Sequence, residues 1–87
     1  MYILMVYDVN IKRVNKVLKI GRKYLNWVQN SVLEGEITKA QFERLKMEVA
    51  KKIDHKEDSV LLYVMESQKL FAKEKIGVEK SPVSNII

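Results

Sequence analysis

The chain opens with the stretch Tyr2-Ile3-Leu4-Met5-Val6-Tyr7-Asp8, in which six apolar or aromatic residues precede a carboxylate. A continuous apolar run of this length, with aromatic and β-branched members, is typical of a strand buried on both faces. Asp8 would lie where this strand leaves the sheet, at the edge that ligands of open α/β sheets favour. Asp8 is therefore either a functional carboxylate or an N-cap of the following helix, a role that Asn10 could share.

Length and composition predict one small domain. A chain of 87 residues buries only about 60–65% of its unfolded surface, so a second subunit would add stability. The chain contains no cysteine, which excludes a disulfide framework and a thiolate metal site. Its apolar runs are shorter than the roughly 18–20 residues of a membrane span, and the first is too short for a signal peptide. We expect a cytoplasmic protein without a membrane segment.

The whole net charge of +5 comes from one segment of the chain, because the remainder nearly balances. Between Val9 and Leu33 there is no acidic residue, but there are six basic ones: Lys12, Arg13, Lys16, Lys19, Arg22 and Lys23. Four of them share one helical face, which we call the lysine row: Lys12, Lys16, Lys19 and Lys23. Such a row can simply be solvated. The absence of acidic partners at i, i+4 favours a polyanion partner such as nucleic acid.

Periodicity predicts two helices and four strands. The first helix is expected from Asn10 to about Tyr24, and Gly21 in its apolar stripe either allows close approach to the sheet or begins the unwinding. Residues 26–37 predict two short strands divided at Gln29-Asn30-Ser31 by a bulge or a tight turn. Residues 38–41 have the form of a capping box, and the second helix would then run to about Ile53.

The last part of the chain predicts a strand at Ser59–Met65 and then a weaker signal. Residues 68–78 suggest an edge strand. The apolar, β-prone tail at residues 83–87 is expected to pair with another protomer. We therefore divide the chain into a ferredoxin-like domain at 1–78 and a C-terminal linker and strand at 79–87. The order is that of an α+β, ferredoxin-like βαββαβ sandwich with an extra C-terminal strand, exchanged in a homodimer.

Several short runs together resemble one known family. They are Tyr7-Asp8-Val9, the basic first helix, the run Val-Gln-Asn-Ser-Val-Leu-Glu-Gly-Glu at 28–36, and Asp58-Ser59-Val60 before a strand that contains Tyr63. Over positions 1 to about 65 the chain resembles the CRISPR-associated protein Cas-two, the small dimeric subunit of the spacer-acquisition machinery. Leu33 departs from the family pattern, which most often has Phe there.

The resemblance implies a homodimer in which Asp8 of each chain faces its mate and holds Mg²⁺, with Mn²⁺ as a substitute. It implies metal-dependent endonuclease cleavage of phosphodiester bonds in RNA or duplex DNA, with Asp8 catalytic and Ser31 as a candidate that positions a phosphate. It also implies a scaffold that bridges two dimers of the partner integrase. The basic residues of the first helix would then bind the nucleic acid.

The chemistry limits how much catalysis to expect. Metal-dependent phosphodiester cleavage commonly uses two ions about 3.5–4 Å apart, held by several carboxylates. One protomer offers a single carboxylate here, so we expect slow or conditional cleavage and regard nucleic-acid binding as the more secure function. The alternative outside the family is a ferredoxin-like RNA-binding module or toxin-type ribonuclease, which would stack bases on exposed aromatic residues. Candidates for stacking are Tyr2, Tyr7, Trp27 and Tyr63.

Overall fold

A computed structural model of the chain describes residues 1–67, 72–78 and 80. It contains the first six of the predicted elements, in the predicted order. The elements are β1 (Tyr2–Asp8), α1 (Ile11–Gly21), β2 (Asn26–Gln29), β3 (Val32–Glu36), α2 (Lys39–Lys52) and β4 (Ser59–Met65).

The four strands form one antiparallel sheet in the order β2-β3-β1-β4. In the central strand β1, Val6 is opposite Val32 of β3 and Asp8 is opposite Ser59 of β4. Both helices pack on the same face of this sheet through a shared apolar core. The arrangement is the ferredoxin-like sandwich that the sequence predicts.

The two faces of β1 differ, which corrects the expectation that this strand is buried on both. Ile3, Met5 and Tyr7 point to the helices and are buried in the core. The opposite side of the sheet, which we call the open face, includes Leu4 and Val6, and both remain half-buried. An antiparallel sheet can pack against helices on one face only, so a continuous apolar run can form a strand that is buried on one face.

Helix α1 ends earlier than predicted, at Gly21 rather than near Tyr24. Gly21 is buried, and a Cβ atom at this position would lie 3.2 Å from Leu33 Cδ1. The structure shows both roles considered for this glycine: it allows close approach of the helix to the sheet, and it is the residue at which the helix ends. After Gly21 the chain turns, and the Leu25 amide donates to the Gly21 carbonyl at 2.8 Å.

Local signals set the hairpin and the start of α2. The β2–β3 connection contains both features that the sequence left open, a bulge between Trp27 and Gln29 and a tight turn in which Asn30 has φ of 41°. Asparagine tolerates this left-handed conformation better than most residues. Thr38 caps α2 in a reciprocal box with Gln41, as predicted.

The C-terminal region departs from one expectation. Residues 72–78 contain no strand, although the sequence suggested that this part belongs to an edge strand. Residues 68–71 of that segment and the tail at 83–87 lie outside the described residues, so the extra strand, its exchange and the boundary at 78/79 stay predictions. Within the described part of the chain, no helix is long and apolar enough to cross a membrane.

Candidate metal and nucleic-acid site

Asp8, the last residue of β1, has an exposed side chain. Its carboxylate makes no hydrogen bond or ion pair with the residues that the structure describes. The helix cap is Asn10, whose side-chain oxygen accepts from the Lys12 amide at 2.9 Å. Asn10, and not Asp8, is therefore the N-cap of α1. An exposed, unpaired carboxylate is a suitable ligand for a hard cation.

The register places two hydroxyl residues at the same end of the sheet as Asp8. Ser59 is directly opposite Asp8 in β4. Ser31 precedes β3, and its carbonyl accepts from the Tyr7 amide at 3.1 Å. Burial raises the pKa of the Tyr7 hydroxyl, while a hydrogen bond with the Ser31 side chain acts in the opposite direction. The backbone therefore brings Ser31 to the edge where Asp8 leaves the sheet.

One protomer supplies part of a metal site at most. Among the residues described, no group of three His, Cys, Asp or Glu side chains could enclose an ion. Mg²⁺ usually keeps several waters and is held through one or two carboxylates, so Asp8 fits the role of a single protein ligand.

Asp58, the residue before β4, binds the turn that follows Asp8, and we call its contacts the clamp. The Asp58 side chain is fully enclosed, and its carboxylate accepts four hydrogen bonds. The donors are Asn10 N at 2.9 Å, Arg13 Nε at 2.6 Å, Arg13 Nη2 at 3.0 Å and Asp54 N at 2.8 Å. The Arg13 guanidinium and these amides hold the pKa of Asp58 well below its usual range.

The predicted nucleic-acid-binding residues fall into two groups. Arg13 is bonded to Asp58 and to Glu57, and Lys23 is bonded to Glu48. The others are exposed and have no carboxylate partner within the described ranges: Lys12, Lys16, Lys19 and Arg22. The sequence places all six together on one element, but only the structure separates those that also hold the fold from those that do not.

The open face carries two features that sequence reasoning missed or left unresolved. Glu34 is buried among strands, with one oxygen bonded to Lys73 and the other without a hydrogen-bond partner among the residues that the structure describes. Burial and the nearby Glu34 raise the pKa of the Tyr2 hydroxyl. Leu61 and Tyr63 remain exposed, at 52% and 54%. Glu34 is part of the run at 28–36 that resembles the family, but no signal in the sequence marks it as buried, because it occurs in a stretch of balanced charge.

The aromatic residues are poorly placed for base stacking. Tyr2 and Tyr7 are buried. Trp27 lies on the helix side of the sheet, half-buried, and its Nε1 donates to the Asn30 carbonyl at 3.0 Å. Of the four candidate aromatics only Tyr63 is exposed, and single-strand readers of this fold usually stack two or three bases. These positions argue against the alternative of an RNA-binding module that stacks bases on its sheet.

The fold and this edge define a class: small ferredoxin-like proteins with an exposed carboxylate at the end of the first strand and a basic first helix. The family model described as CRISPR associated protein Cas2 matches residues 1–73, and the chain belongs to that family.

Individual relatives agree with this assignment. A Thermotoga maritima protein named CRISPR-associated endoribonuclease Cas2 is 66% identical over 80 residues, which cover 92% of each chain. A crystal structure of Cas2 superimposes with a TM-score of 0.86 at 46% identity, covering 94% of this chain and 92% of that one. Streptococcus pyogenes Cas2, solved at pH 6.5, gives a TM-score of 0.77 at 34% identity, covering 88% of this chain and all of the other.

Proposed function

We propose that this protein is a nucleic-acid-binding subunit of CRISPR spacer acquisition that also cleaves phosphodiester bonds slowly with Mg²⁺ or Mn²⁺. The observation that carries the proposal is the exposed Asp8 carboxylate at the end of β1, directly before the basic helix α1, and this carboxylate has no partner within the described ranges. The endoribonuclease name of the relatives supports the reaction class. The proposed substrates of this protein are RNA and duplex DNA.

Asp8 would hold the metal ion, together with Asp8 of a second copy. A bound divalent ion would polarise the phosphoryl oxygen and lower the pKa of a bound water. Ser31, at the same edge of the sheet, would position a phosphate by hydrogen bonding. The exposed basic residues of α1 would neutralise neighbouring phosphates, which supplies affinity without reading sequence.

The scaffold part of the proposal is a homodimer that bridges two dimers of the partner integrase. Its support is the open face, where Leu61 and Tyr63 are exposed beside the partly covered Leu4 and Val6. Contiguous exposed apolar surface of this kind marks an interaction site more often than a free surface. Two copies docked through this face would leave both α1 helices outside, available to nucleic acid.

The test is an Asp8→Asn variant, assayed on RNA and on duplex DNA with Mg²⁺, with Mn²⁺ and with a chelator. We expect the variant and the chelated wild type to fall to background, because the amide cannot supply the charge that a hard cation prefers. Glu66→Gln, an exposed carboxylate at the far end of β4, is the control with the same loss of charge. Full metal-dependent cleavage by Asp8→Asn would refute the assignment.

A spacer-integration assay of the same variant separates the two parts of the proposal. We expect Asp8→Asn to retain integration, because bridging depends on the open face and the basic surface rather than on the metal. Loss of integration in a variant that still binds duplex DNA would show that scaffold and metal site are one function.

A further inference from the structure

A second basic surface lies in the cleft between α1 and α2, on the side of the molecule away from the open face. The cleft encloses about 320 Å³ and is lined by Lys19, Ile20, Lys23, Glu48, Lys51 and Lys52. We call it the basic groove. Helix α2 carries acidic and basic residues in its sequence, and only packing brings its last turn beside the lysine row of α1.

The charges in the basic groove do not balance. One Glu48 oxygen binds the Lys23 ammonium and the other accepts from the Tyr24 hydroxyl. The hydrogen bond that Lys23 donates to Glu48 is the main cause of the lowered pKa of Glu48. The same contact raises the pKa of Lys23. Of the four lysines in the basic groove, Glu48 pairs with Lys23.

The other three lysines of the basic groove, Lys19, Lys51 and Lys52, have no carboxylate partner in the described part of the chain. The buried Ile20 forms an apolar wall beside them. A cleft lined by one sign of charge with low-dielectric walls concentrates the field and attracts the opposite charge.

Helix chemistry explains only part of this cluster. Lysines in the last turn of a helix interact favourably with its dipole, which is reason enough for Lys51 and Lys52 on α2. Lys19 lies in the last turn of α1 and has the same local reason. The dipoles give no reason for the three lysines to line one cleft, because like charges in one cleft repel unless an anion lies between them.

We propose that the basic groove binds phosphates of a nucleic-acid backbone, and that the contact surface therefore continues from α1 onto the C-terminal turn of α2. This inference rests on the nucleic-acid binding in the proposed function and deepens it by naming a second helix. Phosphodiesters fit the groove by charge complementarity, and the groove shows no feature that would select a base. Binding there is expected to be independent of sequence.

The experiment compares two double variants that lose the same charge. Lys51→Gln/Lys52→Gln changes the basic groove, and Lys39→Gln/Lys56→Gln removes two exposed lysines outside it. Glutamine removes the charge and has a helix propensity close to that of lysine, and all four side chains are exposed, so both variants should unfold like the wild type. Affinity for a short random-sequence duplex is measured by fluorescence anisotropy at several salt concentrations. We expect the groove variant to reduce the salt slope by about 1.8 per bound protomer, from two lost phosphate contacts, and the control to leave it nearly unchanged.

A third variant should bind the duplex more tightly than the wild type. Glu48→Gln removes the negative charge from the basic groove, while its amide oxygen can still accept from the Tyr24 hydroxyl. Lys23 is then free to contact phosphate, so affinity should rise severalfold and the slope should steepen by about 0.9. A purely structural role for the cluster would predict no gain in affinity.

The outcomes separate this inference from the proposed function. A wild type that binds the duplex, with equal losses in the two double variants, would overturn the basic groove and leave the proposed function standing. Weaker binding by Glu48→Gln would overturn the groove in the same way. A wild type without affinity for the duplex would overturn both. If the double groove variant fails to fold, the single changes Lys51→Gln and Lys52→Gln repeat the test, each with an expected loss of about 0.9 in the salt slope.

Discussion

Replacing Gly21 by alanine tests how closely α1 packs on the sheet. The added Cβ would lie 3.2 Å from Leu33 Cδ1 and 3.3 Å from Cδ2, whereas ordinary carbon contacts are about 3.5–4.0 Å. Leu33 is fully buried in the core, so its side chain cannot move aside without displacing neighbours.

Two opposing effects set the size of the change. Overpacking of this kind typically costs about 1–3 kcal/mol. Alanine gains about 0.8–1 kcal/mol over glycine in a helix interior, and less at the last helical residue. We expect Gly21→Ala to lower the free energy of unfolding by about 1 kcal/mol net. For a chain of this length that corresponds to a fall in Tm of about 4–8 °C.

Urea unfolding at one fixed protein concentration measures this change, and Gly35→Ala is the matched control. A Cβ at Gly35 would meet its nearest neighbour, Leu25 Cδ2, at 3.4 Å, which is near ordinary contact. The control should therefore change stability by no more than about 0.5 kcal/mol in either direction. The fixed concentration matters because association would add to the apparent stability.

A double-mutant cycle with Leu33→Val identifies the cause. Valine withdraws the two Cδ atoms, at a cost of about 0.8 kcal/mol for the lost methylene. Gly21→Ala should then cost nothing, or stabilise slightly, in the Leu33→Val background. If Gly21→Ala is as stable as the wild type, or if the two changes are additive, then this contact does not set the distance between α1 and the sheet.

Three further predictions concern the clamp and the dimer. The lowered pKa of Asp58 contributes stability that is present above the ordinary aspartate pKa of about 3.9 and is lost as the pH falls, because the unfolded chain takes up the proton first. Asp58→Asn should lower stability at neutral pH and flatten its decline below about pH 4; an unchanged acid slope in chemical unfolding would contradict the clamp. Sedimentation at micromolar concentration should give a homodimer, and Tyr63→Glu on the open face should shift it to monomer without changing the circular dichroism spectrum. Deleting residues 83–87 should weaken the dimer, and an unchanged mass would make the tail incidental to it.

Features that depend on near neighbours in the chain could be predicted from the sequence. The apolar run of β1, the helical spacing of α1 and the box of Thr38 and Gln41 each need only a few consecutive residues. The position of Asp8 at a strand end follows from the same local pattern, and its proposed role came with the family resemblance. The sequence predicts the end of α1 near Tyr24, with unwinding at Gly21 as an alternative, because residues 22–25 keep an apolar and basic pattern that is compatible with a helix.

Only the tertiary structure decided which of these residues are already engaged. Arg13 and Asp58 are 45 positions apart, and the open face brings Glu34 to Lys73 across 39. Lys19 and Lys51 line the same cleft because the two helices pack side by side on one face of the sheet. The identity of a partner at such separations depends on strand order, register and helix packing together. These are properties of the assembled core, and no local pattern in the chain encodes them.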